Sequence, residues 1–295
     1  MNTNYLVIGG TGTVGRDVVT GLLQSPDTSV RVLTRSADRA ETLPEGATPV
    51  VGDLEDPTTY ARIFEGIDRL FLLNAVSMTE LHQGLAAVHE AARVGVDHLV
   101  YLSVQDPTAI GHAPHIASKI AIENAIETSG RPYTIIRPNN FYQNDFWFEE
   151  AIMTHGVYPQ PIGTVGLSRV DTRDVAQAVV NAFTQDGHAN ETYTLAGPDA
   201  LTGADCARIY ASMLDRPVRY GGDDLDAWAE RMASMLPAWM VYDFRLMYAH
   251  FQEKGFAATS AQQKETRRIL GREPRSFRAF AEEAAGQWTT RAVAA

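Results

Sequence analysis

The chain of 295 residues predicts an open, doubly wound α/β fold built on a parallel sheet, followed by a smaller α/β part. Three observations carry that expectation. Short runs of consecutive apolar residues alternate with helix-length amphipathic segments through the first half. Runs dense in Val, Ile and Leu fit strands covered on both faces. A glycine-rich stretch, Gly9-Gly10-Thr11-Gly12-Thr13-Val14-Gly15, directly follows the first run and opens the first helix pattern. After Phe141 the alternation stops, and glycine, proline and aromatic residues take over. The expected division is therefore 1–155 and an interlocked 156–295.

Taken in order, strands are expected over residues 5–8, 30–33, 48–51, 70–73, 99–102 and 133–136. Helices are expected over 13–23, 58–64, 80–94 and 116–128, the first presenting Val14, Val18, Val19, Leu22 and Leu23 on one face. Gly130-Arg131-Pro132 ends the fourth helix before the sixth strand, as a C-terminal glycine followed by proline does. Alternating units of this kind wind right-handed and place a ligand at the carboxyl ends of the strands. Beyond residue 155, glycine and proline crowd 155–166 and Asp171 caps a helix to about 183. A short strand follows at 193–195, then helices over 202–214 and 223–256, and a small polar tail after Trp288.

Composition narrows the function classes. A net charge of -11 argues against nucleic acid as a main partner, because phosphate backbones need a basic face. Cys206 is the sole cysteine, so no intrachain disulfide forms, which suits a reducing compartment. The first strand begins within four residues, and no apolar run reaches the roughly 18 residues of a membrane span. A cytoplasmic protein with neither membrane nor nucleic-acid partner is the expectation.

The glycines point to a dinucleotide. Gly9 permits a tight turn, Gly12 leaves room for a pyrophosphate, and Gly15 lets helix and strand approach. Backbone amides of Thr11, Thr13 and Val14 would complete the phosphate cradle. The second strand ends in Thr34-Arg35 with no carboxylate to select the plain ribose. Arg35, with Arg39 as a second cation, suits a ribose 2′-phosphate, hence NADP(H). Asp53, followed by Leu54, closes the third strand where an adenine amino group would lie, although a turn-forming Asp explains it equally. Asn74-Ala75 ends the fourth strand alongside the expected cofactor.

Taken together, these residues resemble the NmrA-like branch of the atypical short-chain dehydrogenase/reductases. The resemblance rests on Gly9–Gly15, Thr34-Arg35, Gly52-Asp53-Leu54, Ser103, His115 with Lys119, residues 132–138, residues 171–176 and residues 271–277. It implies an NADP(H)-binding Rossmann domain with a small C-terminal α/β domain forming the substrate cleft. The family is divided between reductases of quinones, dyes or other conjugated molecules and proteins that bind the nucleotide to sense redox state.

The wider superfamily uses Ser, Tyr and Lys, the last two spaced Y-x-x-x-K. Here the spaced pair is His115 and Lys119, on one helix face, with Ser103 twelve residues before His115. A phenol titrates near 10 and needs a neighbouring ammonium, whereas imidazole titrates near 6.5 unaided. The resemblance thus makes Lys119 a ribose ligand, His115 a proton donor or merely a helix-start residue, and Ser103 a substrate or water partner. Asn139, Asn140 and Phe141 follow the sixth strand where related folds meet the nicotinamide carboxamide. Tyr142 is a substitute acid or simply the start of the second core.

Other features have plainer readings. His112 and His115 lack further ligands, so no metal is expected. Asp223, Asp224 and Asp226 suit a helix start, as do Asp171 and Asp174. Trp228, Met232, Met235, Trp239, Met240, Tyr242, Phe244, Met247 and Tyr248 either line an apolar pocket or serve as core or a subunit contact, including a homodimer's. The expected activity is an NADPH-dependent reductase passing hydride to a small conjugated or aromatic carbonyl or quinone-like acceptor. The alternative is a non-catalytic NADP(H)-binding redox sensor acting through a protein partner.

Overall fold

The computed structural model describes residues 2–36, 38 and 42–294. In chain order the first half contains β1 (Thr3–Ile8), α1 (Thr13–Leu22), β2 (Thr28–Thr34), β3 (Thr48–Val51), α2 (Tyr60–Phe64), β4 (Arg69–Leu72), α3 (Glu80–Val94), β5 (His98–Leu102), α4 (Pro114–Glu127) and β6 (Tyr133–Pro138). Then come α5 (Glu149–His155), β7 (Val157–Tyr158), α6 (Thr172–Thr184), β8 (Glu191–Leu195), α7 (Gly203–Leu214) and β9 (Arg219–Tyr220). The chain closes with α8 (Leu225–Met232), α9 (Ala238–Lys254), α10 (Ser260–Leu270) and α11 (Phe277–Ala294).

Seven strands form the main sheet in the order β3-β2-β1-β4-β5-β6-β8, and β1 to β6 pair in parallel. The order reverses between β1 and β4, the switch point at which open α/β sheets bind ligands. This is a Rossmann-type, doubly wound sheet. One face of it packs Leu72, Leu99, Tyr101 and Ile135 against Ala87 and Ala91 of α3 and Ile122 and Ile126 of α4. The two helices lie close there, because a Cβ added to Gly84 would overlap Ile122 Cδ1. Elsewhere α1 packs against α6, with Gly21 facing Val180.

The chain divides into two compact units that interleave along the sequence. The first comprises Met1–Pro138, Thr172–Thr194 and Arg268–Gly271, and the second Asn139–Asp171, Leu195–Arg267 and Arg272–Ala295. This differs from a single boundary at residue 155. The reason lies in the sheet: β6 is left with an open edge, and the chain returns to cover it. Asn190 N–H donates to Tyr133 O at 2.6 Å, which places β8 as the seventh strand. The strand expected at 193–195 therefore belongs to the main sheet.

Within the second unit, β7 and β9 form a short parallel pair. The helical stretch expected over 223–256 is two helices, because Pro237 stands at the N-cap of α9 and cannot continue α8. The segment expected as a polar tail is instead the end of α11, whose Trp288 is buried. The interior is organised around Arg169 and Asp145, both fully buried and paired at 2.7 Å. Tyr158 donates to Asp145 at 3.1 Å, and Tyr210 donates to its other oxygen at 3.0 Å. With these hydrogen bonds completing the pair, the desolvation cost of both charges is offset. Burial pushes the neighbouring Cys206 thiol up to about 12, so this cysteine is a packing residue.

Candidate functional site

The glycine-rich turn joins β1 to α1 at the switch point. Gly9 has φ +83°, and a Cβ there would lie 2.6 Å from Leu73 O, so only glycine fits between the ends of β1 and β4. A Cβ on Gly15 would overlap Gly9 O, so the helix approaches the turn closely only without one. Gly12 differs: an added Cβ would meet only Gly9 O, at 3.4 Å, so the space above it is open. Gly12 is also the N-cap of α1, with no side-chain cap and no acidic residue in the first turn. The first amides of α1, from Thr13, Val14 and Gly15, thus have no acceptor within the helix and sit at its positive end. That is the arrangement a pyrophosphate needs.

At the end of β2, Thr34 turns its hydroxyl into its own loop, donating to Ser36 O at 2.9 Å. Arg35 is exposed and makes no hydrogen bond or ion pair among the described residues. Arg39 lies outside the described residues. Asp53 accepts the Glu55 amide at 3.0 Å, while its own amide donates to Thr59 Oγ1 at 3.2 Å. Its carboxylate is committed at least in part to the turn, and Leu54 beside it is buried.

The ends of β4 and β5 hold the polar cluster. Leu72 and Tyr101 are register partners, so two residues further along Asn74 and Ser103 leave the sheet side by side. Both are buried, and neither Asn74 amide atom nor Ser103 Oγ has a hydrogen-bond partner among the described residues. Buried polar atoms without a partner are places where a bound group or a water can supply one. Ala75 is exposed. His115 and Lys119 are buried on α4, 8% and 7% exposed. Lys119 Nζ donates to Glu80 Oε1 at 2.7 Å. Glu80, the first residue of α3, is fully buried, and its Oε2 has no partner among the described residues.

Sequence reasoning missed Glu80. An acidic residue at a helix start has an ordinary explanation in the helix dipole, which hides its ion pair with Lys119. The usable signal is its place, six residues past Asn74 at the carboxyl end of β4.

In the second unit, the two asparagine side chains after β6 are committed. Asn139 Nδ2 donates to Phe256 O at 2.7 Å, and its Oδ1 accepts the Asn140 amide at 2.8 Å. Arg169 donates to Asn140 Oδ1 at 3.0 Å and to Phe141 O at 2.8 Å. The backbone here is engaged as well: the Asn139 amide donates to Leu195 O at 2.9 Å, and Asn140 O accepts the Val170 amide at 2.9 Å. Arg169 is the second residue that sequence reasoning missed. Of the two readings of Tyr142, the structure puts its ring in the aromatic interior of the second unit, fully buried against Phe277 with centroids 5.1 Å apart. Its hydroxyl donates to Arg275 O at 3.3 Å.

The profile of the NmrA-like family matches residues 1–281. The chain belongs to the NmrA-like family. It is 33% identical over 236 residues to an NAD(P)H azoreductase of Xenophilus azovorans, covering 78% of this chain and 80% of that one. It is 31% identical over 281 residues to a (4-alkanoyl-5-oxo-2,5-dihydrofuran-3-yl)methyl phosphate reductase of Streptomyces griseus, covering 94% and 96%. Among solved structures, the NADPH complex of an NADPH-dependent quinone oxidoreductase from Escherichia coli matches with TM-score 0.85 and 20% identity, over 95% of this chain and 99% of that one. That likeness shows the fold.

For this NmrA-like chain, the remaining acidic and aromatic residues have structural work. Asp224 caps α8 by accepting the Asp226 and Ala227 amides, whereas Asp223 accepts the Gly163 amide at 2.9 Å. Asp226 pairs with Arg245, and buried Asp171 accepts from Gln143 at 2.9 Å. The aromatic and Met stripe splits between core and surface. Trp228 and Tyr248 pack edge to face in the interior, with centroids 5.1 Å apart, while Met235 and Tyr242 are exposed. Among the described residues no helix is long and apolar enough to cross a membrane.

Proposed function

We propose that this chain is an NADPH-dependent reductase that passes hydride to a small conjugated or aromatic carbonyl, azo or quinone-like acceptor. The observation that carries the reading is the set of unpartnered buried atoms of Asn74, Ser103 and Glu80 Oε2, together with the Lys119–Glu80 pair, at the strand ends near the glycine turn. The oxidoreductase names of the two relatives above 30% identity support the same reaction class.

Bound there, the nicotinamide supplies the hydride. The residues do the rest. Amides of Thr13 to Gly15 would bind the pyrophosphate, and Arg35 would meet the ribose 2′-phosphate. Lys119 has three N–H donors, of which one is given to Glu80, leaving two for the nicotinamide ribose hydroxyls. Asn74 and Ser103 gain partners from the ligand or from water held with it. His115 or water would supply the proton that the acceptor's developing anion takes up. Most of the rate comes from holding donor and acceptor atoms in one geometry, which tolerates a range of flat acceptors.

The test is consumption of NADPH with a panel of quinones, azo dyes and aromatic aldehydes. Turnover is expected with at least one class, reduced roughly 10²-fold in Lys119→Ala and near the parent value in Tyr142→Phe. Tight NADPH binding without turnover on any acceptor overturns the reductase reading.

A further inference from the structure

Lys119 and Glu80 come from different helices. Glu80 opens α3 and Lys119 lies on α4, the two helices that cover one face of the sheet and approach each other at Gly84 and Ile122. The carboxylate is fully buried, and the ammonium side chain is 9% exposed. Neither makes another ion pair among the described residues. Taking two opposite charges out of water is costly, and a pair of apolar residues would tie the helices together at least as well. The positive end of α3 favours an anion at its first residue, so the carboxylate has its own anchor independent of Lys119. Anchored in this way, Glu80 fixes where the Lys119 ammonium sits at the end of a flexible four-carbon stem.

We infer that Glu80 is a positioning residue for Lys119: it holds the ammonium at the carboxyl ends of β4 and β5 with two N–H donors available to the nicotinamide ribose. The inference rests on the reading of Lys119 as a ribose ligand given above. Glu80 itself does not touch the cofactor. Its free Oε2 and the neighbouring Tyr101 hydroxyl are both buried without partners, one an acceptor and one a donor. Burial, and then the charges of Glu80 and Glu123, push the Tyr101 phenol well above its ordinary value, so it stays a neutral donor.

A double-mutant cycle separates positioning from a simple strut. Glu80→Gln, Lys119→Met and the double variant are titrated with NADPH by calorimetry, and their thermal unfolding is followed without NADPH. Each single substitution is expected to raise the dissociation constant roughly ten- to hundred-fold. The double variant binds no more weakly than Lys119→Met alone, because Glu80 acts only through Lys119. It also unfolds at a higher temperature than either single variant, since each of those strands a buried charge. Wild-type affinity in Glu80→Gln with a lowered unfolding temperature overturns the inference, as do losses that multiply in the double variant. Wild-type affinity in Lys119→Met defeats the ribose-ligand reading itself, a distinct result. If Glu80→Gln does not fold, Glu80→Asp keeps the charge on a shorter stem. It is expected to weaken NADPH binding several-fold, and unchanged affinity there overturns the inference.

Discussion

Arg35 is the residue we propose selects the dinucleotide. It is exposed, unpartnered among the described residues, and follows a strand that ends without a carboxylate. A guanidinium is suited to a phosphate because its fork matches two oxygens at once. Arg35→Ala is expected to raise the NADPH dissociation constant about tenfold, more at low salt than at high, and to leave NADH binding unchanged. Equal weakening of both dinucleotides contradicts that assignment. Residues with a backbone reason were the most legible from sequence. Gly9, Gly12 and Gly15 each answer a different steric demand, and the spacing of His115 and Lys119 fixes a shared helix face. Glu80 and Arg169 were illegible because their roles depend on partners 39 and 29 residues away. Tyr142 stood between two readings because nearness along the chain to β6 says nothing about which way its ring turns.

At the scale of elements, the sheet carries its own pH sensitivity. His98 begins β5, and its ring shares a hydrogen bond of 2.9 Å with Thr134 on β6. Burial first, and then Arg69, lowers its pKa from 6.5 to about 4, with His188 adding to the shift. The folded chain keeps this ring neutral while the unfolded chain takes up a proton, so stability present above about pH 6.5 is lost as pH falls towards 4. The loss is of order 3 kcal/mol. Urea unfolding at about pH 7.5 and about pH 4.5 is expected to show it, and His98→Gln should shrink the difference by a comparable amount. A variant that loses as much stability as the parent contradicts the assignment. The strands and helices of the first unit were legible because their apolar runs are continuous and their ends carry Gly and Pro. The seventh strand was read as an element of the second part and not of the main sheet, since so short a run holds no signal for which edge it joins.

For the whole molecule, an acidic chain with a net charge of -11 keeps an uncapped helix start free of carboxylates at the one place where a pyrophosphate would lie. The first unit is completed by two later segments, Thr172–Thr194 and Arg268–Gly271, so a fragment ending at residue 155 lacks the strand that covers the β6 edge. Single-chain sequence patterns reveal the alternation but not such returns. The account depends most on the glycine turn as a phosphate cradle, and calorimetric titration of NADPH into wild type and Gly12→Asp tests it most directly. The space above Gly12 admits the new side chain, so the variant should fold as the parent does while its carboxylate occupies the phosphate position. Saturable binding to the wild type, weakened at least ~100-fold in Gly12→Asp, is the expected result. No heat with NADPH in the wild type, or equal affinity in the two proteins, contradicts the account.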